Sequence, residues 1–328
     1  MPLPTMNDVH IDKPLTQLSV AYLQNTDNFV FNRVFPSVPV QERSGVFYKY
    51  QEGDFMRDQA QKRAPGTESA GNGFNYNTDT YHAEEWAFHH DVPDEVVANA
   101  DAVLRPRMEA NELVMHTLMI RQEKQFVDTY MTGGVWGYDY DGVASSPSAS
   151  EVIQWDDYDN SNPITDVQDA RQAILLKTGR LPNVMVVGRP VYDALVNHPD
   201  LIDRLDRGQT PGGPATVTRQ ALAALFEVDR IEIMDAIVND ADQGQTQSNS
   251  FIGGKTALLV HAPSSPGIMK ASAGYVFRWD FLGGGNNGIV TRSFRMDNLK
   301  SERIEGNIYM DMKLVSADLG AFWDSIVS

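Results

Sequence analysis

The sequence predicts an α+β chain of several parts. Three observations point there. Residues 106 to 131 hold one unbroken helical pattern. Residues 166 to 294 alternate between helix and strand patterns. Residues 1 to 40 carry five prolines, Pro2, Pro4, Pro14, Pro36 and Pro39, which read as an extended arm rather than a packed unit.

The arm holds one stretch with helical character, Leu15 to Leu23, and then a run of large apolar residues: Phe29, Val30, Phe31, Val34 and Phe35. An extended segment does not keep such side chains in water, so a cover is expected from elsewhere. "GVFYKYQ" (45 to 51) and "FNYNTDTYHAEEWAFHHDV" (74 to 92) are strand-like, and the residues between them are rich in Gly, Asp, Gln and Ala. Together they predict a long hairpin with a loose tip. A lone hairpin is marginal in water, so this one is expected to rest on something else.

The long helix shows Leu104, Met108, Met115, Met119, Phe126 and Tyr130 at steps of four and seven. Pro106 suits its first turn and Gly133-Gly134 its end. At about 1.5 Å per residue it spans close to ~40 Å. Beyond it the patterns predict helices at 166–178, 190–197 and 200–205, and one capped by Thr218. Strands are predicted at 183–188, 230–234, 255–261 and 272–282, with Tyr275, Phe277, Trp279 and Phe281 on one face. Ile304, Ile308, Met310, Met312 and Leu314 share one face of a late strand, and Leu319 to Ile326 reads as a short amphipathic end.

Composition narrows the function. The chain has 328 residues, no cysteine, and a formal net charge of −17. Disulfides, thiolate nucleophiles and Cys-based zinc sites are excluded. The negative balance opposes gripping phosphate backbones as the main activity. No apolar run approaches the ~18 residues of a membrane helix, and the start lacks the pattern of a secretory signal. The charge is also uneven. Residues 132 to 165 carry Asp139, Asp141, Glu151, Asp156, Asp157 and Asp159 with no Lys or Arg. Residues 41 to 64 carry five bases against four acids, including Lys49, Arg57 and Lys62. Such a segment can lie across an acidic neighbour with less repulsion; both stretches equally suit solvated loops.

No motif supplies catalytic chemistry. Gly283, Gly285 and Gly288 match G-x-G-x-x-G, but a strand pattern follows where a helix must open. "GGKT" (253 to 256) lacks the first glycine of a phosphate loop and also precedes a strand. His82, His89 and His90 read as ordinary surface-strand histidines, and "WDDYDN" (155 to 160) lacks the glycine and last Glu of a calcium loop. No cofactor or metal is expected. In "GRLPNVMVVGRPVYDALVNHPDLIDRLDRG" (179 to 208) the strand–turn–helix offers no Ser, Thr or Lys at the turn, and is expected to hold only itself.

That stretch, followed in order by "VTRQALAALFEVDRIEIMDAIVND" and "GKTALLVHAPSSPGIMKASAGYVFRWD", resembles the major capsid proteins of tailed bacteriophages. The likeness runs over nearly the whole chain and rests on pattern and order. It implies the Hong-Kong-97-type capsid fold: an N-arm (1–40), an extended E-loop (41–92), a P-domain with its spine helix (93–165), an A-domain (166–294), and a P-domain return strand with the C-terminus (295–328). It implies pentamers and hexamers closing into an icosahedral shell around double-stranded DNA held without sequence-specific binding. The shell is a virion component assembled in the host bacterial cytoplasm. Partners implied are further copies of the chain, a portal, and in some systems a decoration protein. The capsid-like pattern begins almost at Met1, so a separate scaffolding protein, or none, is expected.

Under this resemblance Phe29, Phe31 and Phe35 of the arm are expected to be covered by neighbouring subunits. So are Lys49, Phe55, Arg57, Lys62, Phe74 and Tyr76 of the hairpin. The glycine-rich loops holding Gly212, Gly213 and Gly284 are expected near the capsomer axis. Lys49, Lys62, Asn298 and Asn307 are the residue types of the family's Lys–Asn cross-links, but nothing around them in sequence suggests activation, so no cross-link is expected. An encapsulin-type nanocompartment shares the fold, although its usual start is a helix. A soluble α/β enzyme with an unrecognised site is the reading from a different class.

Overall fold

The computed structural model describes residues 23–100, 104–206, 217–267, 269–280 and 288–328. Two sheets organise it. The first is six-stranded, in the order Glu151–Ile153, Tyr138–Val143, Gly320–Asp324, Ala257–Val260, Val184–Gly188, Arg230–Met234. The second is built on the 14-residue strand Ser301–Leu314. That strand pairs antiparallel with Glu84–Pro93, Gly274–Trp279 and Val290–Met296, and Ser37–Val40 adds parallel to Gly274–Trp279.

The long helix is Pro106–Tyr130 and lies on the second sheet. Its buried row runs Ala110, Val114, Leu118, Gln122, Phe126, Tyr130, at steps of four. This corrects the predicted stripe: Leu104 and Met108 are exposed. Gln122, a polar residue in the middle of the true row, hides that row from a hydrophobicity pattern. Gln122 is buried with its Nε2 3.7 Å from Met310 Sδ. Close approach needs Gly306 on the facing strand. A Cβ there would stand 2.6 Å from Val114 Cγ1 and 2.7 Å from Leu118 Cδ1. Tyr130 ends the row, with its hydroxyl 3.1 Å from the Lys313 carbonyl and 3.2 Å from that of Tyr275.

Two helices of the six-stranded unit open on side-chain caps, the second at Thr218 as expected. Asn162 Oδ1 accepts from Thr165 N and opens Pro163–Thr178; Gly179, at φ 66°, closes it. Thr218 Oγ1 accepts from Ala221 N and opens Arg219–Leu225. The strand Val184–Gly188 turns at Gly188 into the helix Arg189–Val196. A Cβ at Gly188 would lie 2.1 Å from the Gly254 carbonyl, so the glycine lets two backbones meet. His198 then starts the helix Pro199–Asp206: its Nδ1 accepts from Asp200 N at 3.2 Å. With Nδ1 occupied, Nε2 carries the proton toward Ser161 Oγ at 3.1 Å, and Ser161 Oγ donates to the Asp157 carbonyl. Burial lowers the His198 pKa and keeps the ring neutral.

The C-terminal end departs from expectation. Gly320–Asp324 is not an amphipathic surface piece but an inner strand of the six-stranded sheet, with Phe322 and Trp323 buried. Its partners are Ala257–Val260, antiparallel, and Tyr138–Val143, parallel. The sheet therefore takes strands from both sides of the boundaries predicted at 165 and 294. Pairing between strands about 180 residues apart leaves no trace in local pattern.

Candidate inter-subunit surface

The predicted hairpin forms from Ser44–Tyr50 and Tyr76–His82. Its two faces differ. On the inner face Phe277 of the second sheet stands between Phe47 (5.2 Å between centroids) and Tyr81 (4.6 Å, stacked). Gly45 makes room for the Tyr81 ring, since a Cβ there would stand 2.6 Å from its hydroxyl. Lys49 Nζ lies 2.7 Å from Asp79 and donates to the Leu314 carbonyl at 3.4 Å. Asp311 accepts from His82 N at 2.8 Å. These contacts fasten the base of the hairpin.

The outer face carries Val46, Tyr48, Tyr50 and Tyr76, all exposed. Beyond it, Asp54 closes the neck of the tip by accepting from Asn75 N at 2.8 Å. Phe55 and Phe74 stack there at 5.6 Å with Tyr50 beside them, yet remain 53% and 55% exposed; Tyr76 is 59% exposed. The members of this cluster touch each other and still face water, which makes them the candidate contact surface.

The arm is the opposite case. Phe29, Phe31 and Phe35 are only 4%, 1% and 2% exposed, inside the chain's own core. Phe29 meets the His116 ring, and Phe35 packs on Phe126 and Tyr130, all of the long helix. Glu123 of that helix is fully buried and accepts from Val30 N (3.0 Å) and Phe31 N (3.0 Å). Desolvation pushes its carboxyl up to about 7, against the lowering effect of those two bonds and of Arg33. Gln24 exchanges two hydrogen bonds with the Ile237 backbone, at 2.7 and 2.8 Å. The expected cover from a neighbouring subunit is thus supplied by the chain itself: the arm lies across a helix that sequence order places about 90 residues away.

Solved structures share this architecture. A phage-related protein from Bordetella bronchiseptica RB50 superposes with a TM-score of 0.67 at 20% identity, covering 92% of this chain and 93% of that one. The capsid of Cyanophage P-SCSP1u superposes with 0.61 at 11% identity, covering 97% and 93%. These likenesses establish the fold. In sequence, residues 147–273 match the family model described as phage major capsid protein E. The major capsid protein of Burkholderia phage BcepMu is 24% identical over 317 residues, 94% of each chain. In sequence as in fold, the chain is similar to phage major capsid proteins.

The predicted contact residues separate into three groups. Phe55, Phe74 and Tyr76 are exposed and close together. Lys62 is exposed on the tip, and Arg57 lies 3.7 Å from Asp54, while Lys49 is engaged at the hairpin base. Phe29, Phe31 and Phe35 are internal. Gly212, Gly213 and Gly284 lie outside the described residues, as do the expected helix 15–22 and Phe281. Of the cross-link residue types, Asn307 is buried with its Nδ2 donating to Glu305 at 3.1 Å. Four exposed apolar hairpin residues went unpredicted: Val46, Tyr48, Tyr50 and Met56. The first two were readable, since they alternate with Phe47 and Lys49 and must share the outer face once Phe47 turns inward. Among the described residues no helix is long and apolar enough to cross a membrane.

Proposed function

We propose that the chain is a phage major capsid protein, and that it assembles as pentamers and hexamers into an icosahedral shell that encloses phage double-stranded DNA. The observation that carries this reading is the hairpin: a firmly anchored base bearing an outward aromatic face that its own chain leaves uncovered. In the shell this hairpin acts as the E-loop and lies over an adjacent subunit. The long helix acts as the spine of a P-domain, and the six-stranded unit as the A-domain facing the capsomer axis. Each contact is modest, and closure of the shell multiplies them. A separate scaffolding protein, a portal and a decoration protein are the other partners the reading expects. Assembly in the bacterial cytoplasm goes with it.

Electron microscopy of the purified protein, alone and with its neighbouring genes, tests this. Closed shells are the expected result, and their contents distinguish a DNA container from a nanocompartment holding protein cargo. A monomer or dimer under every condition overturns the proposal.

A further inference from the structure

The two edges of the six-stranded sheet carry opposite charge. One edge strand is Arg230–Met234. Its Glu232 is buried, and three guanidinium groups converge on that one carboxylate: Arg33 at 3.1 Å, Arg219 at 3.2 Å and Arg230 at 3.7 Å. Each arginine keeps a third or more of its side chain exposed. A concavity of about 730 Å³ opens beside them, lined by Arg219 and Arg230 with Thr218, Ala223, Val228 and Asp229. Even with the Asp229 carboxylate counted, the edge keeps a positive excess in a chain of net charge −17.

The opposite edge strand is Glu151–Ile153, with Tyr138–Val143 next to it. Here lie Asp139, Asp141, Glu151, Asp156, Asp157 and Asp159. Among the described residues no ion pair involves any of the six at 4 Å or less. Their hydrogen bonds come from uncharged groups: Asp139 accepts from Gly134 N, Glu151 from Ser148 N, Asp156 from Ser328, and Asp157 from Asn160 Nδ2. Burial and the neighbouring Asp141 and Asp324 raise the Asp139 pKa, and Lys255 is the one cation that acts on Asp156. At about 4.8 Å per strand the edges stand roughly 24 Å apart.

A sheet with one basic and one acidic edge is complementary to a copy of itself placed head to tail, and a rotation that closes makes a ring. We infer that the arginine-bearing edge at Glu232 receives the acidic edge around Glu151 of a second copy of this chain. The inference rests on the assembly reading above and names the surfaces within it. It explains how subunits that repel as whole bodies come together side by side: the local field at one edge is reversed. It also accounts for six carboxylates concentrated on one edge that, among the described residues, form no ion pair.

Charge reversal tests it. Three forms are compared with wild type: Arg219→Glu; Asp141→Lys with Asp159→Lys, two exposed side chains; and all three substitutions in one chain. Thermal midpoints check folding, and rings and shells are counted by electron microscopy. The expected result is at least a tenfold loss of particles when either edge is reversed, with recovery when both are. Should Arg219→Glu lose its fold beside Glu232, Arg219→Gln replaces it, with a smaller loss expected. An acid-edge variant that assembles like wild type overturns the inference, as does a triple variant no better than the singles. Wild type that forms no particle overturns the assembly reading and this inference together, which sets that failure apart from the others.

Discussion

The arm and the hairpin tip look alike in sequence and end in opposite states. Both are irregular segments studded with phenylalanine. The arm's Phe29, Phe31 and Phe35 are buried against the long helix, whereas Phe55 and Phe74 of the tip stay half exposed. The difference lies in what each segment's backbone can bond. The arm's N–H groups at Val30 and Phe31 reach a buried carboxylate, and its strand Ser37–Val40 joins a sheet. The tip's backbone is tied chiefly to itself, at Asp54 and Asn75. A segment whose polar groups are satisfied by the body can bury its apolar groups there too. One that is satisfied only locally leaves its apolar surface exposed.

That contrast breaks most sharply under deletion. Removing residues 52–73 is expected to leave a cooperatively folding monomer and to abolish closed shells. Sedimentation velocity and electron microscopy measure both. Wild-type shells from the deleted chain would remove the hairpin's assembly role. Point substitutions separate the two regions next. Phe126→Ala, under the arm, is expected to cost about 3–5 kcal/mol of folding stability in urea titration. Phe55→Ala is expected to change stability by less than about 1 kcal/mol while lowering particle yield. Equal effects of the two on stability would mean that the tip belongs to the core after all.

Much of the fold was legible because it is local. Thr218 caps the helix it was expected to cap, and the helix expected at 166–178 forms as Pro163–Thr178. The tail strand shows its buried Ile304, Ile308, Met310 and Met312 as plain alternation. What was illegible is pairing at a distance. Nothing near residue 320 says that Phe322 and Trp323 sit between strands from residues 138–143 and 257–260. Nothing near residue 29 says that Glu123 will hold it. The contact surface was legible in part for the same reason: Phe55, Phe74 and Tyr76 stand out as aromatics in a polar loop, but the covering of Phe29, Phe31 and Phe35 is a non-local fact.

Glu123 sharpens the comparison with a smaller, pH-dependent effect. Its folded pKa, about 7, lies above its ordinary value of 4.5. The folded state therefore holds the proton more tightly than the unfolded chain does. Its contribution to stability is full below about pH 4.5, is lost as pH rises toward 7, and is flat beyond. The swing is of order 3 kcal/mol at most. Glu123→Gln is expected to flatten that slope when urea titrations are compared across pH 4.5 to 7.5. Gln keeps an acceptor for Val30 or Phe31 N–H, so the arm should stay docked. An unchanged slope would place the titration elsewhere.

The smallest effect belongs to the hairpin base, where Lys49 pairs with Asp79 at 2.7 Å. Both side chains are partly exposed, and such pairs contribute about 0–1 kcal/mol. Lys49 holds the Asp79 carboxyl below its ordinary value, chiefly through that hydrogen bond. A lowered pKa in the folded state stabilises above the unfolded value of 3.8 and ceases to do so as pH falls through the folded one. Lys49→Met is therefore expected to cost less than about 1 kcal/mol at neutral pH, and the cost should vanish in acid once Asp79 is protonated in both forms. Urea titrations at pH 7 and at pH 2.5 make the comparison. A loss that persists undiminished in acid would mean that Lys49 acts through its bond to the Leu314 carbonyl and its contact with the Phe47 ring, and that the base is held by packing on the return strand rather than by charge.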